Sequence, residues 1–428
     1  MTANEDIKTM KSFHFPRPFK STNIINNFLL LLMVILLSGG FTRDGRRPFK
    51  NYVLLVSLDG FRWDYSRLYN TPNINEIARE GVKADRLIPS FPTVTFPNHY
   101  TIATGLYPDH HGLIDNSFFA TDLGLSYRMS DRTAVENPSF YGGEPIWITA
   151  QKQGAKAASF FWVGSEAAVR GMHPFYWKKY DGTVTYEERI DSVVKWLGYP
   201  EEKRPELVTL YFHEPDATSH KFGPNSPETE KIVERLDSLI GVLRLKLSTL
   251  SYHRRINFIL LSDHGMGAIS PDRYINIKEA VPERMISSVY GGNPVLLINP
   301  AEGKQDSVLL LLKAQKNLKA WAKADVPARL HFGTNPRVPQ IVVLADSSWS
   351  IGNRPASSSI RGGEHGYDNA DSDMLAIFYA AGPAFKRNYR INELNNTDIY
   401  GMICRILKLN PAPNDGNSNN YRKILKMW

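Results

Sequence analysis

Residues 53–60 read VLLVSLDG, a mostly apolar run that ends in an aspartate and a glycine. The same pattern returns at 207–216, LVTLYFHEPD, and at 256–265, INFILLSDHG. A short continuous apolar run predicts a strand buried on both faces, as in a parallel sheet that is covered by helices. Ligands of such sheets gather beyond the carboxyl ends of the strands. Because a carboxylate follows each predicted strand, the pattern also indicates where a functional site lies.

The segments between these strands show a helical period. Helices are predicted at 71–80 and 227–250, and apolar positions of the second recur on one helix face, which indicates core packing. Residues from about 271 to 360 are rich in Pro, Gly and Ser, with a helix-like run at 308–324 and a strand at 340–344. We therefore predict an α/β fold, with a mostly parallel sheet between helices and a smaller inserted subdomain at about 271–360.

Composition and charge exclude several classes of protein. Of the 428 residues, 42% are hydrophobic and 22% are charged, which is typical of a globular chain and not of a disordered one. The net charge of +8 comes from the ends, because 1–50 and 386–428 each carry +5 and 51–385 carries −2. A slightly acidic body argues against stable binding of a nucleic-acid duplex. The single cysteine, Cys404, excludes an intramolecular disulfide and a cluster of thiolate metal ligands.

An apolar run near the N-terminus indicates export. Residues 28–37 read FLLLLMVILL, with basic residues before them and Ser-Gly-Gly after them. Ten residues at ~1.5 Å each are too few to cross a bilayer core of ~30 Å, so 1–40 is predicted to be a signal peptide, with an uncleaved signal anchor as the alternative. Export without disulfides suggests a bacterial periplasmic or secreted protein. We expect membrane attachment only through this leader, and a monomer.

The polar residues that follow the predicted strands form a set of metal ligands. Two of them, four apart, share one face of a helix, and the others follow strands or lie in a glycine-rich loop. Each one alone is typical of a turn or a helix cap. Together they suit two divalent ions, with zinc first, and three protein ligands per ion leave a position for substrate. The set is Asp59, Asp216, His220, Asp263, His264 and His365.

A hydroxyl residue offers a nucleophile. Thr95 lies in PTVTFPNH at 92–99, just before a predicted helical segment at 100–105. A hydroxyl near a helix N-terminus is stabilised as an alkoxide by the helix dipole, and a metal ion would lower its pKa further. The alternative is that Thr95 only caps the helix.

Several motifs, taken in order, resemble those of one known family. They are SLDG at 57–60, PTVTFPNH at 92–99, GLIDN at 112–116, EPD at 214–216 with His220, SDHGM at 262–266 and HGYDN at 365–369. This order resembles that of the nucleotide pyrophosphatase/phosphodiesterases of the alkaline phosphatase superfamily. The resemblance extends over about 50–410 and implies an alkaline-phosphatase-like sandwich, with a type I phosphodiesterase catalytic domain at 50–428.

The resemblance also implies the role of each residue. Thr95 matches the nucleophile that forms a covalent phospho-threonine intermediate, and Asn116 matches the side chain that hydrogen-bonds a non-bridging phosphoryl oxygen. Of two Zn²⁺ ions, one would be held by Asp59, Asp263 and His264 together with Thr95. The other would be held by Asp216, His220 and His365.

Substrate choice depends on the residues next to the nucleophile. The sulfatase motif is absent, and Phe96 cannot hold a phosphate dianion as an arginine would. The resemblance matches Phe96 and Tyr180 to aromatics that stack on a nucleoside base, although Glu166 stands where nucleotide-preferring relatives often have Asp. The expected function is a zinc-dependent phosphodiesterase that releases nucleoside 5′-monophosphates from small nucleotides. The alternatives are a phosphodiesterase acting on choline or lysophospholipid head groups and, less expected, an inactive binding homologue.

Overall fold

The computed structural model describes residues 50–354 and 360–426, so the leader predicted at 1–40 lies outside the described residues. None of the helices in these two ranges combines the length and apolar composition that a membrane crossing requires. The strands are β1 (Tyr52–Leu58), β2 (Val82–Ile88), β3 (Ser117–Ala120), β4 (Leu125–Arg128), β5 (Ala157–Phe160), β6 (Tyr176–Lys178), β7 (Leu207–Phe212), β8 (Ile256–Leu261), β9 (Gly267–Ile269), β10 (Tyr274–Asn276), β11 (Ile286–Gly292), β12 (Val295–Pro300), β13 (Leu318–Ala322), β14 (Ile341–Ala345), β15 (Ser350–Gly352), β16 (Gly362–Glu364), β17 (Ala376–Ala381) and β18 (Tyr389–Asn395).

The α-helices connect these strands and cover the sheet. They are Tyr65–Leu68, Pro72–Glu80, Thr95–Thr104, Pro108–His111, Arg132–Glu136, Ile146–Lys152, Tyr186–Leu197, Asp216–Phe222, Pro227–Ser248, Ile277–Ala280, Gln305–Lys313, Asp398–Leu407 and Ser418–Arg422. The predicted helices at 71–80 and 227–250 are confirmed to within two residues at each end.

The main sheet has the strand order β18-β2-β17-β8-β1-β7-β5-β6. Strand β17 runs antiparallel to both of its neighbours, and the other pairings in this sheet are parallel. The mostly parallel sheet that the apolar runs predict is therefore confirmed. Every residue of β1 and of β8 is buried, as expected for central strands covered on both faces.

Side chains of the central strands alternate between two cores. Val53 and Leu55 of β1 belong to one core, while Leu54 and Val56 belong to the other. Helix Pro227–Ser248 packs on the second core through its apolar face, as its helical spacing predicts. Each fully buried Leu or Val contributes about 1.5–3 kcal/mol to the free energy of unfolding. The sheet is therefore a stable base for the residues that follow its strands.

A second, antiparallel sheet lies within the region predicted to be an insertion. Its order is β11-β12-β14-β13, and helix Gln305–Lys313 packs against it through Val308 and Leu312. The strand expected at 340–344 is present as β14.

The helix-like run predicted at 308–324 is wrong in its second half, because the chain leaves the helix after Lys313 and forms β13. In β13, Leu318 and Ala320 are buried and Lys319 is exposed, which is the period of a strand. The leucine, lysine and alanine residues favour a helix locally, and pairing with β14 overrides that preference.

The topology places the three predicted carboxylates at one edge. Strands β8, β1 and β7 are adjacent and parallel, so their carboxyl ends meet. Asp263 follows β8, Asp59 follows β1, and Asp216 begins the helix after β7. The candidate site is therefore built at the ends of three central strands of the main sheet.

Candidate active site

Three carboxylates converge at this edge, two of them buried and that of Asp216 half-buried, and each keeps one buried oxygen without a hydrogen-bond donor. Among the residues that the structure describes, these oxygens are Oδ1 of Asp59, Oδ1 of Asp216 and Oδ2 of Asp263. Burial, with the neighbouring charges of Asp263 and Asp216, raises the pKa of Asp59 well above its usual value. Buried carboxylates without donors are costly unless a cation compensates them, so this donor set fits bound metal.

Three histidines present the same ring nitrogen to these carboxylates. The Nδ1 atoms of His264, His220 and His365 lie 2.8, 2.9 and 2.9 Å from the backbone carbonyl oxygens of Gly265, Gly363 and Thr93. We assign a proton to each Nδ1, because a carbonyl oxygen only accepts hydrogen bonds. A neutral imidazole protonated at Nδ1 carries its lone pair on Nε2, which is the form that binds metal.

The first group of ligand atoms contains Asp216, His220 and His365. Asp216 and His220 lie one turn apart on helix Asp216–Phe222, and His220 Nε2 is 3.3 Å from Asp216 Oδ1. His365 follows β16 and brings its Nε2 to 3.6 Å from the same oxygen. One ligand atom from each of the three lies within 4.8 Å of the others. The predicted helical spacing of Asp216 and His220 is confirmed.

In the second predicted group, the histidine lies close to each of the two carboxylates. The group consists of Asp59, Asp263 and His264. His264 Nε2 lies 3.0 Å from Asp263 Oδ2 and 3.4 Å from Asp59 Oδ1. Its members belong to two overlapping sets of ligand atoms, one with Asp216 and one with His99. The six residues predicted from the sequence thus form one continuous cluster.

Thr95 lies beside this cluster as the first residue of helix Thr95–Thr104. The helix begins five residues earlier than predicted, and Val94 occupies the N-cap position without a side-chain cap. The interpretation of Thr95 as a helix cap is therefore wrong. Its Oγ1 is instead 3.1 Å from His264 Nε2, and the residue is 8% exposed. The hydroxyl thus lies against a candidate metal ligand at the positive end of a helix dipole.

Asn116 is oriented towards the same space. Its Oδ1 accepts a hydrogen bond from the backbone N–H of Phe96 at 3.0 Å, so the amide hydrogens on Nδ2 stay available as donors. Asn116, Thr95 and both histidines of the first group line a cleft of about 450 Å³. This cleft has room for a phosphate ester between the donor and the hydroxyl.

The two predicted aromatic residues occupy different environments. Phe96 is half-buried and packs edge-on against Tyr127 at 6.3 Å between ring centroids, whereas Tyr180 is 39% exposed. The backbone N–H of Tyr180 donates to Glu166 Oε2 at 3.0 Å, and Glu166 also pairs with Arg132. Glu166 therefore holds the segment that carries Tyr180.

Sequence reasoning missed two residues that contact the cluster. Buried His99 places Nδ1 3.0 Å from the carbonyl oxygen of Thr95 and 3.2 Å from Asp263 Oδ2. Its position four residues after Thr95 was a signal, because such residues share a helix face. Tyr211 donates its hydroxyl to Asp59 Oδ2 at 2.6 Å. A tyrosine within an apolar strand was the corresponding signal.

Arg128 was also missed, and it changes the charge of the cleft. It ends β4, pairs in register with Ser117, the residue after Asn116, and lines the cleft. The side chain is exposed and forms no ion pair or hydrogen bond within 50–354 and 360–426. The cleft is thus lined by an unpaired guanidinium as well as by Asn116, the residue predicted to donate a hydrogen bond to a phosphoryl oxygen.

Comparison with known proteins identifies this arrangement. The family model for type I phosphodiesterase / nucleotide pyrophosphatase matches residues 53–368. The chain belongs to this family. A venom phosphodiesterase of Crotalus durissus collilineatus is 39% identical over 386 residues, covering 87% of this chain and 46% of that protein. Human ectonucleotide pyrophosphatase/phosphodiesterase family member 1 is 37% identical over 387 residues, covering 87% of this chain and 42% of that protein.

Solved structures of the family share the fold. Murine ectonucleotide pyrophosphatase/phosphodiesterase 5, an inactive variant in complex with AMP, superposes with a TM-score of 0.84 at 34% identity, covering 88% of this chain and all of that chain. The human protein of the same name gives the same values. The predicted alkaline-phosphatase-like α/β fold is confirmed. The chain spans about half the length of the curated relatives it matches.

Proposed function

We propose that this chain is a zinc-dependent phosphodiesterase/nucleotide pyrophosphatase that hydrolyses small nucleotides to nucleoside 5′-monophosphates through a phospho-threonine intermediate. The observation that carries the proposal is the 3.1 Å approach of Thr95 Oγ1 to His264 Nε2, at a helix N-terminus and beside carboxylates that lack donors. A cap or a turn would not require that combination. Membership of a phosphodiesterase family supports the reaction class.

In this proposal the cluster holds two Zn²⁺ ions. Asp59, Asp263 and His264, with Thr95, would hold one, and the group of Asp216, His220 and His365 would hold the other. Mixed nitrogen and oxygen donors suit zinc. When bound, the ions would act as Lewis acids that lower the pKa of the threonine hydroxyl and stabilise charge on the leaving oxygen.

The protein side chains perform a two-step displacement. Thr95 Oγ1 attacks phosphorus and forms the Thr–O–P bond as the bond from phosphorus to the leaving oxygen breaks. The leaving group departs and takes up a proton. Water then attacks phosphorus and breaks the Thr–O–P bond, which releases the nucleoside 5′-monophosphate, and a proton from that water restores the Thr95 hydroxyl. Throughout, Asn116 donates from Nδ2 to a non-bridging oxygen, where negative charge develops.

The surroundings of the site favour a nucleotide. Phe96 and Tyr180 supply aromatic faces, and stacking on such faces stabilises a base by ~1–3 kcal/mol. Arg128, without an acidic partner, favours a second anionic group on the substrate over the cationic choline head group. The AMP bound to the murine relative supports a nucleotide as ligand.

Three chromogenic esters test the proposal. We expect purified protein to hydrolyse the p-nitrophenyl ester of thymidine 5′-monophosphate faster than p-nitrophenyl phosphate or p-nitrophenyl phosphorylcholine. A preference for the monoester would contradict the phosphodiesterase assignment, and a preference for the choline ester would transfer it to the head-group alternative. Hydrolysis of none of them by zinc-loaded protein would favour the inactive binding homologue.

Export belongs to the same proposal. The apolar run at 28–37 lies outside the described residues, and we propose that it directs a monomeric enzyme to the bacterial periplasm or the medium. N-terminal sequencing of the mature protein from a cell fraction would test cleavage near residue 40. An intact leader on the membrane-bound enzyme would favour the signal anchor.

A further inference from the structure

The edge of the main sheet opposite the candidate active site carries unpaired positive charge. We name it the basic edge and define it by six exposed residues, Arg254, Arg387, Arg405, Lys408, Arg422 and Lys426. Within the part of the chain that the structure describes, none of these side chains forms a hydrogen bond or an ion pair. Six solvated cations on one edge repel one another, which makes the edge a candidate for binding an anionic partner.

The six residues line two shallow clefts. One, of about 500 Å³, is lined by Arg254, Arg387 and Lys426 together with Ile256, the first residue of β8. The other, of about 410 Å³, is lined by the remaining three and by Asn51, which precedes β1. Because β1 and β8 both start here and are parallel, the clefts lie at the edge opposite their carboxyl ends.

The C-terminal segment joins the two clefts into one surface. Arg422, in the second cleft, ends helix Ser418–Arg422, and Lys426, in the first, follows four residues later. The segment is fixed there because Lys426 N–H donates to the carbonyl oxygen of Ala384 at 2.8 Å. Lys386 N–H also donates to the carbonyl oxygen of Ile424 at 3.0 Å. The basic edge is therefore part of the folded structure.

Several other surface cations of the molecule have acidic partners. Arg86 pairs with Glu393 at 3.1 Å, and Lys152 pairs with Glu144 at 2.6 Å. The first cleft contains one acidic residue, Glu80, but its Oε2 is 2.5 Å from Arg244. The charge of the basic edge is thus not compensated locally.

We infer that the basic edge docks on a membrane surface that contains anionic lipid. An extended edge with cations around shallow clefts complements a plane of anionic head groups, and each Lys or Arg near such a surface strengthens binding by roughly fivefold. The chain outside the structure favours this partner. The apolar run 28–37 would bring the chain to a membrane during export, and cleavage near residue 40 would leave three arginines, Arg43, Arg46 and Arg47, ahead of Asn51, which lines one of the clefts. Docking by this edge leaves the opposite edge, with Thr95, open to solution.

Vesicle binding by the full chain tests the inference. The edge variant combines Arg387→Gln, Lys408→Gln and Lys426→Gln. The matched control combines Lys304→Gln, Lys313→Gln and Lys316→Gln, which removes the same charge from exposed lysines near the second sheet. Both variants keep the leader, so its contribution cancels. Sedimentation compares phosphatidylcholine vesicles with phosphatidylcholine vesicles that contain phosphatidylglycerol.

We expect the unmodified chain and the control to bind the anionic vesicles more tightly than the neutral ones, and the edge variant to lose roughly 100-fold of that preference. Equal losses in both variants, or no preference in the unmodified chain, would overturn the inference. A duplex oligonucleotide that binds through this edge when anionic vesicles do not would assign it to nucleic acid instead.

Folding is checked independently of activity by the midpoint of thermal unfolding, so the inference does not depend on the proposed reaction. If the edge variant unfolds at a lower temperature than the unmodified chain, a second edge variant combines Arg254→Gln, Arg405→Gln and Arg422→Gln. We expect it to lose the same roughly 100-fold of the preference for anionic vesicles. Its retention of full preference would overturn the inference.

Discussion

The imidazole rings of His264 and His365 stack with their centroids 3.7 Å apart and an angle of 13° between their planes. One ring follows β8 and the other follows β16, so the contact joins the two proposed ligand groups. Burial lowers the pKa of His365 to about 3, which keeps that ring neutral. Two stacked cations would repel each other at this distance, and the neutral form is the one that binds metal. The two proposed ligand groups are therefore in direct contact through these stacked rings.

Replacing the proposed nucleophile separates chemistry from metal binding. Thr95→Ala should lower kcat by roughly 10⁴-fold or more, because no other hydroxyl takes its place at the phosphorus. Bound zinc should stay near the level of the unmodified protein, since six other ligands remain. Thr95→Ser is the matched control and should retain measurable turnover. Nucleotide ester hydrolysis and elemental analysis check this, and full activity in the alanine variant would contradict a covalent intermediate.

Metal binding should release protons at neutral pH. Burial lowers the pKa of His220, but the adjacent Asp216 and Glu364 outweigh it and raise that pKa to about 9. The metal-free ring is therefore protonated at pH 7, and an ion must displace that proton. We expect zinc affinity to rise with pH up to about 9 and then level off. Calorimetry in buffers of different ionisation enthalpy measures the proton release, and an affinity that falls between pH 6 and 9 would exclude His220 as a ligand.

The hydrogen bond from Tyr211 to Asp59 should control metal affinity from outside the ligand set. Tyr211→Phe removes one hydroxyl from a half-buried ring and leaves Asp59 Oδ2 without its 2.6 Å donor. Loss of such a supporting contact weakens metal binding by about 10–100-fold. Tyr176→Phe is the control, because it also removes one tyrosine hydroxyl. That hydroxyl donates to the carbonyl oxygen of Lys203 and not to a proposed metal ligand. Competition with a chelator measures both variants, and equal affinities would show that this bond is only structural.

Arg128 should distinguish substrates by the charge of their leaving groups. Arg128→Gln should lower kcat/KM for a nucleoside triphosphate by roughly 10- to 150-fold, because a charged hydrogen bond contributes about 1.5–3 kcal/mol. The p-nitrophenyl nucleotide ester, whose leaving group carries no phosphate, should be nearly unaffected. Lys203→Gln, an exposed cation on another segment, serves as the control. An equal loss for both substrates would mean that Arg128 supports the fold and not the leaving group.

Much of the fold was predictable because the central strands are continuous apolar runs, and β7 and β8 are the apolar parts of the runs at 207–216 and 256–265. The start of helix Thr95–Thr104 was not, since Pro97 lies within its first turn, where proline is tolerated but is easily taken for a break. Strand β13 was missed because only its partner β14 makes it a strand. His99 and Tyr211 were missed because their importance comes from contacts with residues distant in sequence.

The carbonyl oxygens behind the three histidines have a further consequence. Gly265, Gly363 and Thr93 hold the imidazoles through the main chain, and no side-chain substitution deletes a main-chain oxygen. Mutation can remove these three hydrogen bonds only by moving the path of the chain. Metal content should then report on the conformation of three separate segments of the chain at once, so that loss of bound ions becomes an early sign of local unfolding.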